Sequence, residues 1–120
     1  MTLQSDRQLE NIPPAVAGED RTDLPIETSI LLARLSMLKS VLAELGVRGL
    51  YLYGSYARGE ADAFSDIDVF VEHGGQFSLL DLVGVQHLIE AEFDVHADVT
   101  TRASLGAITE AAERDAVRIF

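Results

Sequence analysis

The chain of 120 residues has no cysteine and no tryptophan, and it carries only 9 basic residues against 20 acidic ones. Without cysteine there is no disulfide, no zinc–thiolate centre and no thiol nucleophile. A net charge of −11 argues against direct grip on a nucleic-acid backbone, because neutralising phosphates takes clustered Lys and Arg. Long apolar runs are also missing: none approaches the ~18–20 residues that span a bilayer. The first residues are polar and mixed in charge, unlike a secretion leader. These absences lead to the expectation of a cytoplasmic protein with no nucleic-acid and no membrane partner. What is present is an apolar fraction of 48%, enough to build one core and far above that of a disordered chain. The length suits one domain.

Residues 1–24 are polar, hold Pro13-Pro14, and show no periodicity, so they are expected to form a flexible N-terminal arm. A domain is expected over 25–120. From Pro25 to Leu45, Ile30, Leu31, Leu35, Leu38, Leu42 and Leu45 recur at three- and four-residue steps, the stripe of an amphipathic helix ending at Gly46. Val47–Tyr53 is rich in aromatic and branched residues and reads as a strand. A short helix is expected over Tyr56–Ala61, and a second strand over Ser65–Glu72. Ser78 begins a helix to Glu92, with Asp81 placed to complete a capping box. A third strand is expected over Asp94–Thr100. A last helix starts near Ser104 and uses Leu105, Ile108, Ala112 and Val117–Ile119 as its apolar positions. The fold class is therefore α/β (α+β), a small mixed three-stranded sheet flanked by helices.

Two carboxylates interrupt the second strand. Residues i and i+2 of a strand share a face at ~6.5–7 Å by Cα, so Asp66 and Asp68 present one surface with two anions. Such a pair is costly unless one protonates or a cation holds both. Mg²⁺ suits it, as a hard ion that takes oxygen ligands and keeps positions open for phosphate. A solvated acidic edge is the plain alternative. Asp98 adds weight to the metal reading. Its parity on the third strand brings it to the same surface if the second and third strands are neighbours, where it would complete a metal site or accept a proton. Asp94 shares that parity and competes for the role. His96 has it too, though an accessible polar side chain is the simpler reading for it.

Upstream, Gly54-Ser55 breaks the first strand. Glycine lets a ligand approach the backbone closely, the serine offers a hydroxyl, and the amides that follow open a helix. Arg58 lies three residues on, within reach of the same anion. An ordinary turn with a surface arginine would look similar. The lysine of a Walker phosphate loop is absent, as is a dinucleotide fingerprint. The specificity lies in the combination: a Gly-Ser turn, an arginine, and then Asp-x-Asp in an apolar strand.

Gly54-Ser55-Tyr56-Ala57-Arg58-Gly59 followed by Ser65-Asp66-Ile67-Asp68-Val69 resembles the signature of the DNA polymerase β-like nucleotidyltransferase superfamily. The nearest likeness is to its minimal members, the MNT proteins, which act as antitoxins in HEPN/MNT toxin–antitoxin systems. Val95–Thr100 resembles the strand of the third carboxylate, and Ala116–Phe120 the closing helix. The likeness covers about Glu27–Phe120. It implies a polymerase β palm-like fold, with Gly54, Ser55, Arg58 and Ser65 binding the nucleotide and Asp66, Asp68 and Asp98 as catalytic metal ligands. It further implies Mg²⁺-dependent transfer of AMP from ATP to a hydroxyl, a tyrosine, of a HEPN toxin. Larger relatives hold the acceptor with a second domain, and here an acceptor protein must supply itself. Two other functions remain open on the residues: an antitoxin that only occludes its toxin, and a small-molecule nucleotidyltransferase, the latter weakened by the missing second domain.

Overall fold

The computed structural model describes residues 25–105 and 109–120, so the arm expected over 1–24 lies outside the described residues. The elements run α1 (Thr28–Ser36), α2 (Lys39–Glu44), β1 (Val47–Tyr53), α3 (Gly54–Arg58), β2 (Ile67–His73), α4 (Leu79–Phe93), β3 (Ala97–Thr101), a 3₁₀ turn (Arg102–Ser104), α5 (Thr109–Asp115) and β4 (Val117–Arg118). The sheet order is β3-β2-β1-β4. β1 pairs antiparallel with β2 and β4, whereas β2 and β3 are parallel. A parallel pair needs a crossover, and α4 supplies it.

Two-residue alternation gives the sheet two chemically different faces. Leu50, Leu52, Ile67, Val69, Val71 and Ala97 point into the main core against Leu31, Leu35, Leu42, Val85, Ile89 and Phe93 of α1, α2 and α4. A register shift between Val47 and Gly49 lets Val47 join the same core. On the other face Phe70 is buried with Leu105 and Ala112, and Tyr51, Tyr53 and Ala116 pack around them. This second cluster ends at Phe70, which leaves the neighbouring part of the face to polar residues.

α4 begins as its sequence dictates. The Ser78 hydroxyl accepts from the Asp81 amide at 3.2 Å, and the Asp81 carboxylate accepts from the Ser78 amide at 2.9 Å. β1 spans the expected residues. Four expectations are corrected. The helix expected over Pro25–Leu45 is two, broken at Met37–Leu38, where the Met37 amide bonds back to Arg34 O and the Ser36 hydroxyl takes the Ala33 carbonyl. The short helix begins at Gly54 and stops at Arg58, because Gly59 takes a left-handed φ of 72° and the Glu60 amide closes on Ser55 O at 2.8 Å. β3 begins at Ala97, and Asp94 is the left-handed cap of α4 at φ 55°. The fourth concerns the tail. Val117–Phe120 is not helical: Leu50 N donates to Phe120 O at 3.1 Å and Ile119 N to Leu50 O at 2.8 Å, so the tail covers the open edge of β1 and makes the sheet four-stranded. Ile108, expected in the last helix, lies outside the described residues. No helix among the described residues is long and apolar enough to cross a membrane.

Candidate active site

The register across the sheet assembles a polar row. Tyr53 on β1 faces Asp68 on β2, and Asp68 faces Asp98 on β3. Neighbouring strands thus carry Asp68 and Asp98 side by side, as the sequence parity required. Asp66 is placed differently. β2 starts at Ile67, whose amide takes the His96 carbonyl at 2.9 Å. Asp66 therefore stands just outside the strand, exposed, with Oδ2 at 3.3 Å from His96 Nδ1. The expected second strand is shortened at its start because the preceding loop is held by its own turn. There the Ser65 hydroxyl accepts from the Asp62 amide at 2.9 Å, and Asp62 Oδ1 accepts from the Phe64 amide at 2.9 Å.

Charge is concentrated on Asp68. Partial burial, then the negative charges of Asp98 and Asp66, push its carboxyl up to about 6. Tyr53 responds to the same surroundings: burial first, then Asp68 and Asp98, raise its phenol to about 12. Tyr53 thus belongs to the site's environment as well as to the Phe70 cluster it packs against. Its alternation with Leu52 carried the signal, but the strand pairing was needed to read it.

Gly54 sits against this carboxylate. Its φ of 76° is left-handed, and a Cβ built there would lie 2.4 Å from Asp68 Oδ2. Glycine is required on both counts, and it is what lets Asp68 lie at the very start of α3. Ser55 follows in the first turn. Arg58, expected to face the same anion, instead holds Glu60 at 2.9 Å and Asp115 of α5 at 3.0 Å. It still acts on Asp68 through its charge, which opposes the rise in that carboxyl. Ser65 is occupied by its turn.

The donors are three carboxylates, the chemistry a hard divalent cation prefers, and such a cation would offset the burial and the mutual repulsion that raise Asp68. Among the described residues no three acidic or histidine side chains already surround a common point closely enough to enclose an ion. Asp66 is turned to His96 and would have to swing toward Asp68 and Asp98 to share one. In donor chemistry the set fits a metal.

A nucleotidyltransferase domain model matches residues 35–119, from the end of α1 through β4. The chain belongs to the nucleotidyltransferase family. This nucleotidyltransferase is 42% identical over 65 residues to a candidate protein adenylyltransferase of Methanocaldococcus jannaschii, a span of 54% of this chain and 70% of that protein. A solved structure described as a candidate minimal nucleotidyltransferase matches with TM-score 0.68 at 29% identity, covering 77% of this chain and 95% of that one. The structure of a tri-AMPylated Shewanella oneidensis HEPN toxin in complex with MNT antitoxin matches with TM-score 0.57 at 14% identity, over 78% of this chain and 71% of that one, a likeness of fold alone. The fold is that of the nucleotidyltransferases, with one edge strand more than the sequence suggested.

Proposed function

We propose that this nucleotidyltransferase is an Mg²⁺-dependent protein adenylyltransferase that moves AMP from ATP to a hydroxyl, a tyrosine, of a HEPN toxin and so acts as its antitoxin. The observation that carries the reading is the Asp68–Asp98 pairing on adjacent parallel strands, with Gly54 fitted against Asp68. The name borne by the Methanocaldococcus jannaschii relative supports adenylyl transfer to protein, and the HEPN–MNT complex of like fold supports the partner class.

In this reading Asp66, Asp68 and Asp98 hold the metal, which when bound neutralises the triphosphate and the charge that builds up on it. Gly54 and Ser55 seat the outer phosphates at the start of α3. Arg58 leaves Glu60 and Asp115 to pair with a phosphate, a trade between partners of like charge. Ser65 holds the turn that aims Asp66. The acceptor oxygen attacks the α-phosphorus in line, the bond from that phosphorus to the bridging oxygen breaks, and pyrophosphate departs. The acceptor proton passes to a carboxylate, and Asp98, the exposed member of the row, is the residue placed to take it.

The choice of labelled phosphate tests the reaction class. With ATP labelled at the α-phosphorus, a HEPN toxin supplied as acceptor is expected to become labelled, and with ATP labelled at the γ-phosphorus it is not. The reverse pattern would make the protein a kinase and overturn the reading.

A further inference from the structure

Beside Asp66 lies a cleft of about 340 Å³ to which neither Gly54, Ser55 nor Asp68 contributes. Asp62, Asp66 and Asp94 line it, with His96 the one basic group in the wall. Two further features of this wall suggest a ligand. Tyr56 lines the cleft at 2% exposure, and its hydroxyl has no hydrogen-bond partner among the described residues, although buried phenols ordinarily have one. Phe64, in the same wall, is 93% exposed, a large aromatic ring left open by the described residues.

The charge of the lining decides among occupants. Gly54 and Ser55, which seat the phosphates in the reading above, do not line the cleft, so it is not an extension of the phosphate seat. Residues 1–24 leave the described structure at Pro25, on the rim of the cleft, but they hold five acids (Asp6, Glu10, Glu19, Asp20, Asp23) against two bases (Arg7, Arg21). The net charge of residues 1–24 therefore does not complement this lining, and neither does that of a second copy carrying −11. A basic polypeptide segment is complementary to it. Resting on the adenylyltransferase reading above, we propose that this cleft seats a Lys- and Arg-rich segment of the acceptor protein. Phe64 would be its aromatic anchor, the Tyr56 hydroxyl its buried polar contact, and Asp62 and Asp94 the charges that select it. The segment would deliver its hydroxyl at the Asp66 end, where the reacting carboxylates begin.

The test is an NMR titration of the ¹⁵N-labelled full-length protein with a pentapeptide of two arginines, a tyrosine and two lysines, alongside a matched peptide with glutamates in place of the basic residues. Amide shifts are expected at Phe64, Ser65, Val95 and His96 with the basic peptide, and none with the acidic one. The variant carrying Phe64→Ala and Asp94→Asn removes an exposed ring and a charge at a left-handed position where asparagine is well tolerated, so it folds normally. Its dissociation constant is expected to rise about tenfold, the loss of one anchor and one attractive charge. In transfer assays the same variant should raise KM for the acceptor protein while leaving KM for ATP unchanged. Shifts elsewhere or nowhere, equal binding of the acidic peptide, or a variant that binds like the parent would overturn the proposal. A peptide that binds here while no protein is labelled would keep the cleft as a basic-segment site and remove the acceptor role.

Discussion

Asp68 is the residue on which stability and function oppose each other. Burial, then the charges of Asp98 and Asp66, push its carboxyl up to about 6, above the ordinary carboxylate value near 3.8, so the fold favours the protonated form. A folded value above the unfolded one means that ionisation destabilises the fold. The metal-free protein should therefore lose stability as pH rises from about 4 through about 6, with the full penalty above that. The difference corresponds to about 3 kcal/mol, and solvent screening at this half-exposed carboxylate reduces it to about 1 kcal/mol. Asp68→Asn is expected to raise the thermal midpoint at pH 7.5 without divalent ions, to have little effect at pH 4, and to abolish transfer; differential scanning fluorimetry over pH checks the first two. Mg²⁺ should raise the midpoint of the parent protein at pH 7.5 but not that of the variant. Gly54→Ala is the opposite case. It combines a left-handed φ with a 2.4 Å approach to Asp68, and is expected to cost about 2 kcal/mol or more in urea unfolding.

At the scale of elements, α5 is held over the sheet by charge. Arg102 pairs with Glu72 at 2.9 Å and also with Glu113 of α5, while its guanidinium covers the rings of Phe70 and Tyr51. Arg58 ties the last residue of α5, Asp115, to α3. Arg102→Ala is expected to speed amide hydrogen exchange across Ala111–Asp115 while leaving α4 protected, because α4 has its own capping box and packs on the other face. Arg58→Ala should change stability little, since its ion pairs lie at the surface, yet raise KM for ATP severalfold; denaturation and steady-state kinetics separate the two effects. The elements were unequally legible. Ser78 and Asp81 announced α4, and the aromatic and branched run announced β1, because these signals are local. β4 was not legible: Val117 and Ile119 fit a helical stripe as well as a strand, and only the free edge of β1 decides between them. The same limit applied to the site. Gly54 and Asp68 could be found from spacing, and Asp98 from parity, whereas the tilt of Asp66 toward His96 depends on where β2 starts, which the Asp62–Ser65 turn decides.

For the whole molecule, the sheet divides the labour. One face, with α1, α2, α4 and Tyr56 of α3, forms the main core, and the other is partly covered by α5 and otherwise given to Tyr53, Asp68 and Asp98. Nothing among the described residues encloses an acceptor, so in this account the acceptor's own surface completes the site. With a charge of −11, association with a basic partner should be steered electrostatically, and its rate constant should fall steeply between ~0.05 and ~0.5 M salt, as stopped-flow mixing would show. The central claim is that the carboxylates around Asp68 transfer AMP to a protein. Its most direct test is the intact mass of a HEPN toxin supplied as acceptor after incubation with ATP, Mg²⁺ and this nucleotidyltransferase. The account predicts a gain of one or more AMP units, absent with Asp68→Ala and with Asp98→Ala. An unchanged mass, together with a stable complex in which both variants still silence the toxin, would contradict it and leave occlusion as the mode of action.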